Sequence, residues 1–251
     1  MPFATPDARL GAMDKPRRTH AQARAEMRRG ILRLGNDQLR KVGAAGLSVR
    51  EIARGLGVAS SAIYRHVASR DELLTLLIVD AYTDLADAVD AALVAAGADE
   101  AGPGSGERLG RLAGAMRAWA VAHPERWALT YGSPVPGYAA PAEQTTGPGT
   151  RVMVALLGIL LSGGDGNAAR PGVHELPPPS PGLQAEVAAG AAEFGLAGDP
   201  TLGVDAILAW SALVGLISME VFQGLGPELA THGEELLERW IAVTARDFGL
   251  S

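Results

Sequence analysis

Residues 47 to 74, LSVREIARGLGVASSAIYRHVASRDELL, constrain the fold most, because two sharp turns and three helix starts fall within this short stretch. Ser48 is followed at the third position by Glu51, which is the spacing of a capping box and predicts a helix start. Gly57 can adopt the left-handed conformation that ends such a helix. A second short helix is predicted from about residue 60 to 66.

A third and much longer helix is predicted to begin at Ser69, because Ser69 and Glu72 repeat the capping-box spacing. Its apolar positions continue at helical spacing to about residue 96, so this helix is expected to connect two domains. A helix, a glycine turn and a second helix together make a helix-turn-helix, whose second helix fits the major groove of DNA.

The same stretch resembles the DNA-binding domain of the TetR family of bacterial transcriptional regulators. The match covers about residues 21 to 76 and rests mainly on IYRHV followed by SRDELL. Two positions depart from the family pattern: Ala59 stands at the N-cap of the second helix, and Val67 stands where the family more often has Phe. The resemblance implies a homodimer whose two recognition helices enter successive major grooves of a palindromic operator.

The residues expected to contact DNA lie on the exposed face of this motif. We expect side chains at the groove from Ser60, Ser61, Tyr64 and His66, and contacts to phosphates from Arg50, Arg65 and Arg70. The grounds are the polar, aromatic and cationic character of the face, together with the family match at Tyr64, His66 and Arg70.

The charge distribution supports this assignment although the net charge is −6. Residues 1 to 75 carry 14 Lys and Arg against 7 Asp and Glu, whereas the rest of the chain carries 8 against 21. The basic excess therefore coincides with the helix-turn-helix, as expected for a protein that binds a polyanion.

The larger C-terminal region carries a second resemblance. Trp119, His123-Pro124 and the run YGSPVPGY from Tyr131 resemble the C-terminal ligand-binding domain that some TetR regulators carry, known for its Trp, His and Gly positions. The resemblance implies that a small molecule bound in this domain tilts the long connecting helix and releases DNA.

A mostly apolar cavity for an apolar or aromatic effector is expected in this domain. Its predicted walls are Met116, Trp119, Trp127, Tyr131, Met153 and Phe222. Large aromatic surfaces and adaptable thioethers are common in small-molecule pockets. Each of these residues also suits an ordinary core, and this alternative stays open.

The expected fold is all-α, with a disordered tail at residues 1–18, a helix-turn-helix domain at 19–68 and a ligand-binding and dimerisation domain at 69–251. Within the last, a mobile loop is expected at about 163–182, where glycine and proline cluster. The helices predicted at about 202–225 and 227–248 have broad apolar faces, and we expect them to pair with a second copy.

The sequence contains little that suggests catalysis or metal binding. It has no cysteine, its five histidines are scattered, and it has no metalloprotease or hydrolase motif. We therefore expect no enzyme activity, no cofactor and no metal, and a cytoplasmic protein without membrane association. The alternative to a ligand-responsive repressor is a constitutive DNA-binding architectural or protein-interaction module.

Overall fold

The computed structural model describes residues 19–94, 104–162 and 177–251, and within these ranges the chain forms eleven α-helices and no β-strand. The helices are α1 (His20–Val42), α2 (Val49–Gly55), α3 (Ser60–Ile63), α4 (Arg70–Val94), α5 (Ser105–Ala122), α6 (Pro124–Tyr131), α7 (Ala142–Ser162), α8 (Pro181–Glu193), α9 (Pro200–Val221), α10 (Pro227–Ala230) and α11 (Gly233–Phe248), with a 3₁₀ turn at Ala44–Gly46. The expected all-α fold is confirmed.

Three predicted helices have different bounds in the structure. The second helix of the motif is a single turn that ends at Ile63, and the helix predicted at 227–248 is broken into α10 and α11. The apolar run from Gly149 to Leu161 predicts a helix over that range, but α7 begins earlier, at Ala142, and contains Pro148. Gly149 lies against the ring of Tyr82, so close packing on α4 holds this early part of α7 in place.

Only one of the two hydrogen bonds of the predicted capping box at Ser48 is present. The Ser48 hydroxyl accepts a hydrogen bond from the Glu51 N–H at 3.3 Å, but the Ser48 N–H donates to the side-chain oxygen of Gln38 at 2.8 Å. The Gln38 amide in turn donates to the Ser48 carbonyl at 3.2 Å. Helix α1 therefore supplies the partner that Glu51 was expected to provide, and it fixes where α2 begins.

Two hydrophobic cores share helix α4. The first core contains Ile31 and Leu39 of α1, residues of the helix-turn-helix, and the first turns of α4 as far as Leu77. The second core contains α4 from Ala81 onwards, together with α5, α6, α7, α9 and α11. The domain division predicted at residues 68 and 69 stays a prediction, but packing makes α4 a rigid part of both cores.

Two predicted flexible segments fall largely outside the described residues. The tail at residues 1–18 lies entirely outside them, and so do residues 163–176 of the loop predicted at 163–182. The end of that predicted loop belongs to α8, since the Ser180 hydroxyl accepts a hydrogen bond from the Leu183 N–H and Pro181 is the first residue of the helix.

Helices α7 and α9 are long and apolar enough to cross a membrane by length and composition. Both helices contribute buried residues to the second core, including Leu156 and Leu160 of α7 and Leu213 and Ile217 of α9. Packing in the second core accounts for the apolar character of these buried faces.

Candidate functional site

The helix-turn-helix is held by backbone geometry at its turn. Gly57 has φ +67°, and the Val58 N–H donates to the Ala53 carbonyl at 3.1 Å. Helix α3 begins without a side-chain cap, because Ala59 has no hydrogen-bonding side chain. Ile63 is completely buried in the first core and anchors α3 from beneath. The opposite face of α3 is therefore directed to solvent.

The predicted DNA-contacting residues lie on α2, on α3 or between α3 and the start of α4, and most of them are exposed. Exposed side chains there belong to Arg50, Ser60, Ser61, Tyr64 and Arg65, whereas those of His66 and Arg70 are half-buried. Tyr64 keeps 40% of its surface accessible, so its ring is available to a partner. Their roles on DNA stay predictions.

Arg70 has a structural contact as well as its predicted contact to a phosphate. Its guanidinium Nη2 donates to the Ala44 carbonyl at 2.9 Å, which ties the start of α4 to the 3₁₀ turn after α1. A substitution of Arg70 will therefore affect the shape of the domain together with any phosphate contact. Arg50 and Arg65 are better residues for isolating the electrostatic contribution.

The six predicted cavity residues are placed in different environments. Met116 and Trp127 are completely buried in the second core, Trp119 is nearly so, and Tyr131 and Met153 are partly buried against it. Phe222 is 46% exposed at the end of α9, so it is not part of that core. It lines a separate cavity of about 390 Å³ formed with α1, α6 and residues that follow α6.

Hydrogen bonds around the buried Arg126 and two aspartates of α4 connect α1, α4, α5 and α6. Arg126 of α6, only 8% exposed, donates to Asp80 at 2.9 Å and to Asp84 at 2.6 Å. The Asn36 amide of α1 also donates to Asp80, at 3.3 Å, and the Trp119 indole N–H donates to Asp84 at 2.9 Å. We call this set the Arg126 network. It links the first domain to the second through charge-assisted hydrogen bonds.

A cavity of about 490 Å³ lies between α4, α6, the start of α7 and the segment between α6 and α7. It is lined by Ile78, Tyr82, Leu129, Thr130, Gly132, Ser133, Pro134, Val135, Tyr138, Ala140, Thr145, Thr146, Gly149 and Thr150. This volume is within the range of small-molecule sites. None of the six residues expected from the sequence lines it. Its lining combines apolar groups with hydroxyl groups and contains no charged side chain.

The hydroxyl of Tyr82 is one of the polar groups that line this cavity. It donates to the Thr130 carbonyl at 3.1 Å, which joins α4 to the end of α6. Burial raises the pKa of Tyr82 above its ordinary value, so the group stays a neutral hydroxyl at physiological pH. The cavity therefore offers neutral donors and acceptors, which suit a neutral ligand better than an ion.

Residues 132–141, GSPVPGYAAP, form a segment that we call the strap. Several strap residues line the cavity, and two of these, Val135 and Tyr138, also pack on the first core. The Tyr138 hydroxyl lies 2.8 Å from that of Thr75. Because Thr75 donates its one hydroxyl proton to the Asp71 carbonyl at 3.0 Å, Tyr138 is the donor to Thr75. One segment thus contacts both the cavity and the DNA-binding domain.

The strap is the element beside the cavity whose position the sequence analysis does not predict. The strap residues contribute to the resemblance to the C-terminal ligand-binding domain. No periodic pattern in the sequence, however, indicates that this proline-rich loop packs on the first core. The sequence does indicate that this segment is not helical, because Pro134, Pro136 and Gly137 are turn residues within four positions.

The outer face of α9 carries an uncharged stripe at helical spacing. Its exposed members are Leu208, Ser211, Ala212, Gly215 and Met219. Leu208 is 59% exposed, and together with Trp240 and Val243 of α11 it lines a groove of about 320 Å³ between the two helices. Among the described residues, no cluster of three or more potential metal-ligating side chains occurs.

Comparisons with known proteins agree with this architecture. Residues 31–77 match the family described as "Bacterial regulatory proteins, tetR family", and residues 109–244 match "Tetracyclin repressor-like, C-terminal domain". The HTH-type transcriptional regulator Rv1816 of Mycobacterium tuberculosis is 45% identical over 209 residues, which cover 83% of this chain and 86% of that protein. The regulator Mb1846 of Mycobacterium bovis matches to the same extent.

Solved structures show the same fold. The crystal structure of SCO4313 superposes with a TM-score of 0.69 at 29% identity, covering 90% of this chain and 98% of that one. A protein of unknown function from Rhodococcus sp. RHA1 gives a TM-score of 0.58 at 23% identity, covering 91% and 98%. The helix-turn-helix, the two matched domains and the close relatives lead to one conclusion: the chain belongs to the TetR family of bacterial transcriptional regulators.

Proposed function

We propose that this protein is a cytoplasmic transcriptional repressor that binds a palindromic operator as a homodimer and is released by a neutral small molecule in the cavity beside the strap. The observation that carries the proposal is the double contact of the strap. A ligand that displaces the strap within the cavity also disturbs Val135 and Tyr138 on the first core.

The DNA-binding part of the proposal is supported by the exposed face of the first domain. Arg50 and Arg65 provide positive charge beside the polar and aromatic groups of Ser60, Ser61 and Tyr64 on or near α3. Arginines of this kind bind phosphates without regard to sequence, whereas side chains at the start of a recognition helix read base edges. His66 and Arg70 complete the set at the margin of this face.

The dimer is supported by the outer stripe on α9 and the groove it shares with α11. Apolar residues exposed singly are ordinary on a protein surface, but Leu208, Ala212, Gly215 and Met219 follow one another along a single helix face without a charge among them. Helices of this kind pair in symmetric interfaces, which bury on the order of 1,200 Å² or more.

The proposed effector is neutral, because the cavity has hydroxyl and apolar groups but no charged side chain. This refines the sequence-based expectation of an apolar or aromatic molecule. To weaken operator binding tenfold, the ligand must favour the form that does not bind DNA by about 1.4 kcal/mol. Hydrogen bonds and apolar contacts in a cavity of this size supply that difference readily.

The proposal can be tested in two steps. DNA fragments retained by the purified protein are sequenced to find the operator, and neutral compounds are screened for thermal stabilisation of the protein. Each stabilising compound is then added to an operator titration. We expect stabilising compounds to weaken operator binding at least tenfold.

A constitutive DNA-binding module is the second candidate. It would bind the same fragments but retain its affinity in the presence of every stabilising compound. That result would contradict the effector part of the proposal while leaving the DNA-binding part intact. Retention of random fragments without a shared palindrome would contradict both parts.

A further inference from the structure

Tyr131 has a buried hydroxyl without a hydrogen-bond partner among the described residues. Its ring lies in an aromatic cluster, with ring centres 4.3 Å from Trp127, 5.9 Å from Tyr82 and 6.2 Å from Trp210. A buried polar group that makes no hydrogen bond costs stability, and such groups are rare in native proteins unless they serve a purpose.

Tyr131 is next to residues that line the 490 Å³ cavity, although it does not line the cavity itself. Its chain neighbours Thr130 and Gly132 both line the cavity, as does Tyr82, whose ring meets the Tyr131 ring edge to face. The Tyr82 side chain, held by its hydrogen bond to the Thr130 carbonyl, both lines the cavity and packs on the Tyr131 ring. Tyr82 is half-buried, so a ligand reaches Tyr131 from the cavity only if the Tyr82 ring moves and this hydrogen bond breaks.

We propose that the effector site extends past Tyr82 to the Tyr131 hydroxyl, and that its ligands are neutral molecules with a flat ring and a carbonyl or ether oxygen that accepts a hydrogen bond from Tyr131. This inference rests on the proposed function, since it assigns a ligand class to the same cavity. It also gives a role to Trp127 and Tyr131, two of the residues expected from the sequence.

The chemistry of the site selects this class. Burial, and to a smaller extent the neighbouring Tyr82, raises the pKa of Tyr131, so the hydroxyl keeps its proton and can donate it. The surrounding rings of Trp127 and Trp210 favour stacking or edge contacts with a flat ligand. A carboxylate would leave its charge without a compensating cation, because no Lys or Arg lines the cavity.

The first test needs no ligand and compares two tyrosines. Tyr131→Phe removes a hydroxyl without a partner, so we expect its Tm to equal or exceed that of the wild type. Tyr138→Phe removes a hydroxyl that donates to Thr75, so we expect its Tm to fall. A loss of Tm in Tyr131→Phe as large as that in Tyr138→Phe would show that the Tyr131 hydroxyl has a structural partner and would overturn the proposal.

The second test uses three probes of similar size in the absence of DNA: acetophenone, ethylbenzene and benzoate. We expect acetophenone to bind the wild type more tightly than the other two, as measured by quenching of tryptophan fluorescence. Tyr131→Phe should weaken acetophenone about two- to tenfold, the usual contribution of one hydrogen bond, and leave ethylbenzene unchanged. Equal binding of acetophenone to both proteins, or equal binding of all three probes to the wild type, would overturn the proposal.

The two proposals fail in different ways. Release of operator is measured with DNA, whereas both tests above are made on the free protein. A protein that binds acetophenone through Tyr131 but never releases operator would contradict the proposed function. If ligands release the protein from operator DNA equally well in the wild type and in Tyr131→Phe, only the inference about ligand class is contradicted.

Discussion

At the scale of single residues, exposure separates the side chains available to DNA from those that hold the domain together. Arg65 and Arg70 both lie in the segment that resembles the family, yet Arg65 is exposed and Arg70 is bonded to the Ala44 carbonyl. Sequence pattern alone does not distinguish these two arginines. The distinction depends on the path of the 3₁₀ turn after α1, which is a tertiary feature.

Arg65→Ala is expected to weaken binding to all DNA sequences alike and to lower the slope of log affinity against log salt by about 1, because it removes one phosphate contact. Tyr64→Ala is expected to cost about 1–3 kcal/mol at particular base pairs. Both are measured by titrating labelled operator at several salt concentrations. Arg239→Ala, an exposed change on α11, is the control. An unchanged salt slope for Arg65→Ala would exclude the phosphate contact.

Gly233 lies so close to the Glu220 side chain that a larger residue does not fit there. A Cβ atom there would lie 2.0 Å from the carboxyl carbon of Glu220, which forms a two-point ion pair with Arg117 at 2.8 and 2.7 Å. We expect Gly233→Ala to lower the free energy of unfolding by about 1–3 kcal/mol through overpacking. Gly114→Ala has open space and should be neutral or stabilising. Equal effects of the two changes in denaturant unfolding would contradict this interpretation.

At the scale of helices, α4 carries the connection between the domains, and the Arg126 network and the strap supply its side contacts. Its existence and length follow from sequence, because Ser69 caps a long run of apolar positions at helical spacing. Its partners do not follow, since Arg126, Asp80 and Asn36 are separated in sequence and meet only after three helices pack. The early start of α7 does not follow from the sequence either. Gly147, Pro148 and Gly149 disfavour a helix locally, but packing against Tyr82 outweighs this preference.

Two arginines that each bridge two carboxylates of α4 make a matched pair for testing the network. Arg126 is buried between Asp80 and Asp84, whereas Arg151 pairs with Asp87 and Asp90 at the surface. We expect Arg126→Met to lower the free energy of unfolding by about 1–3 kcal/mol and Arg151→Met by less than about 1 kcal/mol. Denaturant unfolding measures both. Equal losses would show that the Arg126 network contributes no more than a surface ion pair.

At the scale of the whole molecule, the exposed stripe on α9 is the surface that we propose pairs with a second copy. The sequence predicted that the last long helices have more apolar surface than one chain buries, and the structure locates that surface on α9 and in its groove with α11. The sequence does not indicate that the exposed side of α9 is the face bearing Leu208 and Met219, because α9 is apolar nearly all round.

Leu208→Glu is expected to convert the protein to a monomer at micromolar concentration, because it places a charge in the middle of the proposed interface. Sedimentation velocity measures this directly. Val94→Glu, at a residue that is 77% exposed at the end of α4, serves as the control and should leave the dimer unchanged. A wild-type protein that sediments as a monomer would contradict the dimer itself.

The most direct test of the central claim is an operator titration in which the spacing of the half-sites is changed. A dimer with two recognition helices on one face of DNA requires half-sites about one helical turn apart or a multiple of it. We expect two protomers to bind the selected palindrome, and an insertion of about 5 base pairs, half a turn, between its half-sites to reduce the affinity to the non-specific level. Undiminished affinity for the altered site would contradict a dimeric, operator-specific regulator.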